Sequence, residues 1–377
     1  MSDDTLSMLA DAAAAFAKPD SKRVRAARGS AAGFDRKVWA EMAEQGWFSV
    51  LVPETQGGLG LRLDAAAAIA GRIGYAVFPE PFVAASVLTT AALARCDNLK
   101  LAAALLEAVA TGKQIVTLAW QNDAGELAPQ TTAVQVRGTG ATLMLTGNCR
   151  FVRVAAADVF LVAAHTPAGL SLYAIERTRA GFAIETEAAA DGSASARLVL
   201  RDVTVSAADC AAGPASAEAA LAYALDAAIL CCAAELTGIM ERVLELTFEY
   251  LRTRKQFGKP IGSFQALQHR AVDIWIQKEL SKAALAAALK HFDAVDATPR
   301  QRSLAASSAK SRAADAALAV CKQAVQMHGA IGFTDEYDLS LYFNRALVLS
   351  AWLGNGATHR RRFDALGQSL ALTGETS

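Results

Sequence analysis

The chain has 377 residues, too many for one ordinary hydrophobic core, so two or three domains are expected. Its 37 Lys and Arg balance 37 Asp and Glu, and a neutral chain argues against a surface for nucleic acid or an anionic membrane, both of which need a basic excess. With 53% apolar and 20% charged residues the composition is that of a soluble globular protein, rich in alanine and therefore in long, closely packed helices.

The opening "MSDDTLSMLADAAAAFAK" is acidic and has no basic n-region, so no secretory signal is expected. Residues 1–112 read as a helical domain: Phe34, Val38, Met42 and Trp47 recur at helical spacing, and "DAAAAIAGRIGYAVF" and "SVLTTAALARC" follow the same period. Between them "VPETQGGLGL" combines Pro53 with Gly57, Gly58 and Gly60, which predicts a tight irregular loop. The period changes over residues 113–213. Short runs such as "QIVTLAW", "DVFLVAA", "LSLYAIE" and "SARLVLRDVTV", parted by turn residues, predict a small β-barrel or sandwich.

Helical spacing returns over residues 214–377. Ser216 to Thr253 reads as one proline-free helix, and "SFQALQHRAVDIWIQKELSKAALAAALKHF", "SLAASSAKSRAADAALAVCKQAVQMHG" and "DLSLYFNRALVLSAWLGNGATHRRRF" as three more, making an antiparallel four-helix bundle. The expected class is therefore α+β multidomain, mainly α, in the order helical domain, β-domain, bundle. The six cysteines are scattered without CxxC or metal spacing, so reduced thiols in a cytoplasmic protein are expected. The apolar runs read as too short or too interrupted by charge to span a bilayer.

That order, together with "RKQFGKPIGSFQ", "QMHGAIGFTDEY" and "VPETQGGLGL", resembles the acyl-CoA dehydrogenase family of flavoproteins over nearly the whole chain. The resemblance implies α,β-dehydrogenation of an acyl-CoA thioester with FAD, and an electron acceptor such as an electron-transfer flavoprotein. It also implies that the first string is a turn reaching across a subunit interface to a neighbour's FAD, through Arg254, Gln256, Phe257, Phe264 and Gln265. A forked guanidinium suits a pyrophosphate and an aromatic ring suits the adenosine part. In the second string the resemblance implies that Gly329 and Gly332, beside Gln326, let backbone approach the phosphates.

The family pattern breaks at the chemistry. Leu353, Gly354 and Asn355 stand where relatives carry the base in a Glu-Gly-Thr string, and Ala228, followed by Ile229, stands at the alternative base position on the first bundle helix. In the β-domain "LAWQNDAGELAPQ" replaces the Thr-Glu-Pro and Gly-Ser strings of the flavin ring contacts, and Phe151, Val152 and Arg153 replace Trp-Ile-Thr. Glu241, Glu245 and Glu249 share one helix face and read as solvated; His328 reads as a packing or phosphate residue; the basic run His359 to Arg362 reads as dipole compensation at a helix end. Asp226 falls where relatives approach the CoA arm, although a lone helical Asp is more often solvated. The resemblance thus implies the base-lacking subunit of a heterotetramer with a base-bearing acyl-CoA dehydrogenase. A homotetramer with a non-standard base and a non-catalytic scaffold or CoA-thioester binding protein are the alternatives.

Overall fold

The computed structural model describes residues 3–28, 30–139 and 142–373. Six helices come first: α1 (Asp3–Phe16), α2 (Ser21–Arg28), α3 (Arg36–Glu44), α4 (Leu63–Ala76), α5 (Leu88–Leu93) and α6 (Leu99–Ala110). Asp35 caps α3 by accepting from the Lys37 N–H, and Asn98 caps α6 by accepting from Leu101 N–H. The sheet follows with β1 (Val116–Ala119), β2 (Gln135–Thr139), β3 (Thr142–Val152), β4 (Val159–Thr166), β5 (Gly169–Glu176), β6 (Phe182–Ala188), β7 (Ala194–Val205) and β8 (Cys210–Ala212). The expected barrel or sandwich is one eight-stranded sheet of order β6-β7-β3-β2-β4-β5-β8, with β1 parallel to β4 at its start. Last come α7 (Ala217–Thr253), the two-residue strands β9 (Lys255–Gln256) and β10 (Lys259–Pro260), α8 (Gln265–Phe292), α9 (Pro299–His328), α10 (Leu339–Ala351) and α11 (Gly356–Thr373).

The chain's contacts divide it into two compact units that cut across this order. One holds α1, α4 and everything from Ile229 onward; the other holds Ala26–Arg62 and Pro79–Ala228. In the second unit Trp39 stacks on Phe48 at 4.1 Å and Phe48 on Phe82 at 6.3 Å, a buried aromatic cluster beneath the helices. In the first, α9 is the axis of the bundle, touching α8, α10 and α11. Its start is set by Thr298 and Gln301, which form a capping box, with Pro299 in the first turn. Small residues set the α4–α7 crossing: a Cβ on Gly238 would stand 1.9 Å from the Gly71 carbonyl, and one on Gly74 2.0 Å from the Glu235 carbonyl.

α7 is long and apolar enough to cross a membrane by composition, contrary to the expectation from its short apolar runs. However, 83% of its most apolar window is buried within the protein, so its hydrophobicity is that of a core helix.

The fourth bundle helix differs from its expected continuous form. It breaks at Trp352–Asn355, where Leu353 and Gly354 adopt φ of +59° and +92°. The cause is a fully buried lysine. Lys310 of α9 donates to the carbonyls of Leu349 at 2.8 Å, Trp352 at 2.9 Å and Gly354 at 3.1 Å, replacing the helical donors these oxygens would otherwise have. Burial lowers the Lys310 pKa, and the ring of carbonyls is what makes an ammonium tolerable there. His359 on α11 adds a bond from Nε2 to the Leu353 carbonyl at 2.8 Å, and Asn355 caps the new helix by accepting from Thr358 N–H at 2.9 Å.

Two measurements test these packings. Gly238→Ala should cost about 3 kcal/mol in denaturant unfolding, because backbone must shift to admit the methyl, whereas Gly367→Ala, which meets nothing within 4 Å, should be neutral or stabilising. His359 has its pKa pushed down from 6.5 to about 3, first by burial and then by the Lys310 charge. Its contribution to stability is therefore complete above about 6.5 and is lost as pH falls towards 3, because the unfolded chain binds the proton that the folded chain excludes. His359→Gln should flatten that part of the stability–pH curve; an unchanged slope would contradict the assignment.

Candidate functional site

After α7 ends at Thr253 the chain reverses through β9 and β10, which pair Gln256 with Lys259 and Lys255 with Pro260. Only Phe257 and Gly258 lie between them, with φ of +53° and +78°, so both central residues of this turn are left-handed. Glycine adopts that conformation freely, but phenylalanine does so at a cost of order 1 kcal/mol. The ring is also 90% exposed, so the apolar contribution that a buried phenylalanine makes is forgone. Its one aromatic contact is the edge of Phe264 at 6.2 Å, over which Lys259 places its ammonium at 4.4 Å.

The root of the hairpin is firm. Ile261 is buried and donates its N–H to the Arg254 carbonyl at 2.8 Å, and Gly262 lies so close to Leu251 that a Cβ would meet its carbonyl at 2.9 Å. Arg254, Gln256 and Gln265 are exposed, Phe264 half-buried, and the Arg254 guanidinium has no partner among the described residues. The turn thus offers a forked cation, two amides and a ring, held by a rigid base and directed outward.

The second predicted string lies in the same unit. Gly329 has φ +68° and ψ −143°, a conformation reserved for glycine, with open space where a side chain would stand. Gln326 and Gly329 are exposed, while Gly332 is packed against Val325 and His328. His328 is buried, as a packing residue should be. Its Nδ1–H donates to the Ala324 carbonyl at 2.7 Å, leaving Nε2 to accept from the Tyr337 hydroxyl at 3.3 Å, and its ring stacks on Tyr250 at 4.5 Å. Burial lowers its pKa and keeps it neutral. The donor set and the open glycine fit a phosphate-bearing dinucleotide such as FAD.

The two positions where a base was expected from the resemblance, Leu353 and Ala228, are both buried. The buried carboxylates among the described residues are Glu80, Asp226 and Glu235. Glu235 is committed to Arg345, whose Nε and Nη2 both reach its Oε1, at 2.8 and 2.6 Å. Glu80 accepts from Asp35 N–H at 3.4 Å. Asp226 corrects the solvated expectation: it is only 2% exposed, because this stretch of α7 is covered on nearly every face. Glu241, Glu245 and Glu249 are exposed as expected, and Glu245 accepts from Tyr75 at 2.6 Å and Arg242 at 2.9 Å.

In the β-domain stretch that departs from the family, the polar groups serve their own loop. Arg153 pairs with Asp191 at 3.6 Å with little exposure, and the Gln121 amide donates to the carbonyls of Gly125 and Glu126 at 3.0 and 3.3 Å. The basic run at 359–362 also differs from expectation. It lies in the first turns of α11, where cations oppose the helix dipole, and is held by cross-helix bonds instead: Arg360 to Asp315 at 2.5 Å, and Arg362 to the hydroxyls of Ser303 and Ser307 at 3.0 and 3.2 Å. Sequence reasoning missed Lys310, although the "GNG" that breaks the helix beside it was a visible stop signal. All six cysteines are free thiols, and the described residues contain no metal-binding cluster.

Comparison with known proteins agrees with this geometry. The acyl-CoA dehydrogenase C-terminal domain model matches residues 219–365 and the N-terminal domain model residues 3–113. The chain is 30% identical to the acyl-CoA dehydrogenase FadE27 of Mycobacterium tuberculosis over 90% of this chain and 89% of that one. Its structure is similar to that of the ChsE4-ChsE5 complex from Mycobacterium tuberculosis, with a TM-score of 0.88, 28% identity and coverage of 100% of this chain and 99% of that one. It is likewise similar to a variant of the steroid ACAD Tcur3481-Tcur3483, at a TM-score of 0.87, 28% identity and coverage of 98% and 99%. The chain belongs to the acyl-CoA dehydrogenase family of FAD-dependent oxidoreductases acting on CH–CH groups.

Proposed function

We propose that this protein is the base-lacking subunit of a heteromeric, cytoplasmic acyl-CoA dehydrogenase, lending its hairpin to a flavin pocket whose base belongs to a partner chain of the same family. The observation that carries this reading is the pairing of a strained, 90% exposed Phe257 beside an unpartnered Arg254 with buried apolar residues, Leu353 and Ala228, at both base positions. A side chain so placed is explained by something that covers it, and nothing within its own hairpin does.

In this reading Arg254 holds the pyrophosphate as a forked cation, and Phe257 packs on the adenosine part beside Phe264. Gln256, Gln265 and Gln326 donate amide hydrogens, and Gly329 admits the phosphates to its backbone. A bound FAD would supply the hydride acceptor for the β-hydrogen of the thioester; the α-proton would go to the partner's carboxylate, since leucine and alanine accept none. The chain's own task is then to bind and orient the cofactor. The names of the two similar complexes support a two-chain assembly, and the steroid ACAD supports a bulky acyl-CoA as substrate; the acceptor in this reading is an electron-transfer flavoprotein.

A conventional homomeric enzyme is the second reading, and the burial of Asp226, two positions from Ala228, is what favours it. Absorbance spectra decide. Expressed alone the chain should carry little FAD; co-expressed with a base-bearing family member it should yield a yellow, active complex. In that complex Arg254→Ala should lower FAD affinity by roughly 10- to 100-fold, the loss of a charge-assisted bond, without altering the partner. A purified homomer with one FAD per chain and acyl-CoA turnover abolished by Asp226→Asn would establish the second reading.

A further inference from the structure

The hairpin and the loop that follows α9 lie far apart in sequence, yet three rings join them. Tyr250, in the last turn of α7, accepts the Arg254 N–H at its carbonyl at 2.8 Å, so its backbone leads directly into the hairpin. Its ring stacks on that of His328, the last residue of α9, with centroids 4.5 Å apart and planes at 26°. Tyr337 closes the group, its ring 5.0 Å from His328 and edge-on to Tyr250 at 6.3 Å. The imidazole is held against rotation within it. Nδ1–H is committed to the Ala324 carbonyl at 2.7 Å, and Nε2 accepts from the Tyr337 hydroxyl at 3.3 Å.

What the rings hold is the course of the backbone. Gly329, with its glycine-only conformation, directly follows His328, and the chain then returns so closely that a Cβ on Gly332 would stand 3.0 Å from the His328 Cβ. The far end of the loop is tied down separately. Arg25 of α2 donates from Nε and Nη2 to the Asp335 carbonyl at 3.0 and 2.6 Å, and pairs with Asp338 at 2.9 Å. We propose that Tyr250, His328 and Tyr337 are positioning residues that fix the hairpin and the Gly329 loop at one spacing, so that both contact a single dinucleotide together. This rests on the reading of hairpin and loop as two contacts to FAD. The gain is preorganisation: two contacts already set at the ligand's span act as one, whereas contacts that must be brought together lose ordering entropy on binding.

Titration of FAD into the deflavinated assembly, homomeric or with its base-bearing family partner, tests it, read by flavin fluorescence rather than turnover. Tyr250→Leu should raise the FAD dissociation constant about 10-fold, whereas Tyr250→Phe, which keeps the ring, should hold it within about 2-fold of the parent. A mutant cycle separates positioning from stability. In the parent, Arg254→Ala and Gln326→Ala should each weaken FAD; with Tyr250→Leu in place each should cost at least ~3-fold less, because a contact that has lost its spacing contributes less. A residue serving stability alone would leave those factors the same in every background. Tyr337→Phe, the mildest change, should also speed hydrogen exchange at the Arg254 and Ile261 amides, across the stack from the altered hydroxyl. Effects that simply multiply in the cycle, a Tyr250→Phe as weak as Tyr250→Leu, or unchanged exchange in the hairpin would each overturn the inference alone. Arg254→Ala and Gln326→Ala that leave FAD affinity untouched would overturn the reading beneath it as well.

Discussion

The turn at Phe257 sets the terms for the rest of the molecule. A two-residue connection between antiparallel strands requires both residues to be left-handed, and here the first is an aromatic that would be more stable elsewhere on both backbone and solvation grounds. Such a residue persists when the surroundings over-determine it. Buried Ile261 and the close Gly262–Leu251 contact do so at the root, and α7 and α8 hold the two ends. The strain is small beside the stability of two long helices, so the fold can hold the ring out in solvent. Everything exposed on the hairpin, the guanidinium and the amides included, inherits its direction from that turn.

A comparable separation of shape from chemistry is visible at the break between α10 and α11. The carbonyls that a helix interruption strands are collected by Lys310, and the loop is closed by His359 and Asn355. None of these contacts uses the side chain at 353. The loop can therefore keep its course while the residue upon it changes from an ionisable group to leucine, whose burial adds apolar contact instead. For the subunit proposed above, relieved of proton transfer, this would be the expected direction of drift: the hydrogen-bonded frame is kept because orphaning buried carbonyls is costly, and a functional side chain can be lost because nothing structural depends on it.

The change from a period near four to a period of two and back was enough to read the order of helices, sheet and bundle, because buried faces impose those periods directly. The hairpin was legible for a different reason, its crowding of glycine, aromatic and basic residues between two helices. The break in the last helix was signalled locally by Gly354-Asn355-Gly356, but what holds it was not legible, since Lys310 lies some forty residues away and contributes through carbonyls that carry no sequence identity. Asp226 escaped for the same reason: a helix shows one polar residue among apolar ones, but only tertiary packing decides whether that residue meets water.

The hairpin differs in kind from the packed bundle that carries it. The hairpin presents donors and one ring, groups that recognise a charged, planar molecule and gain little from another apolar surface. A chain that kept its base could satisfy the hairpin with an identical neighbour. A chain without one cannot obtain turnover that way, because two such neighbours would hold a cofactor between them with no acceptor for the α-proton. In the reading proposed above the hairpin is thus pressed towards an unlike partner, and the loss of one carboxylate would be enough to make that partner necessary, with no change in the fold of the contact.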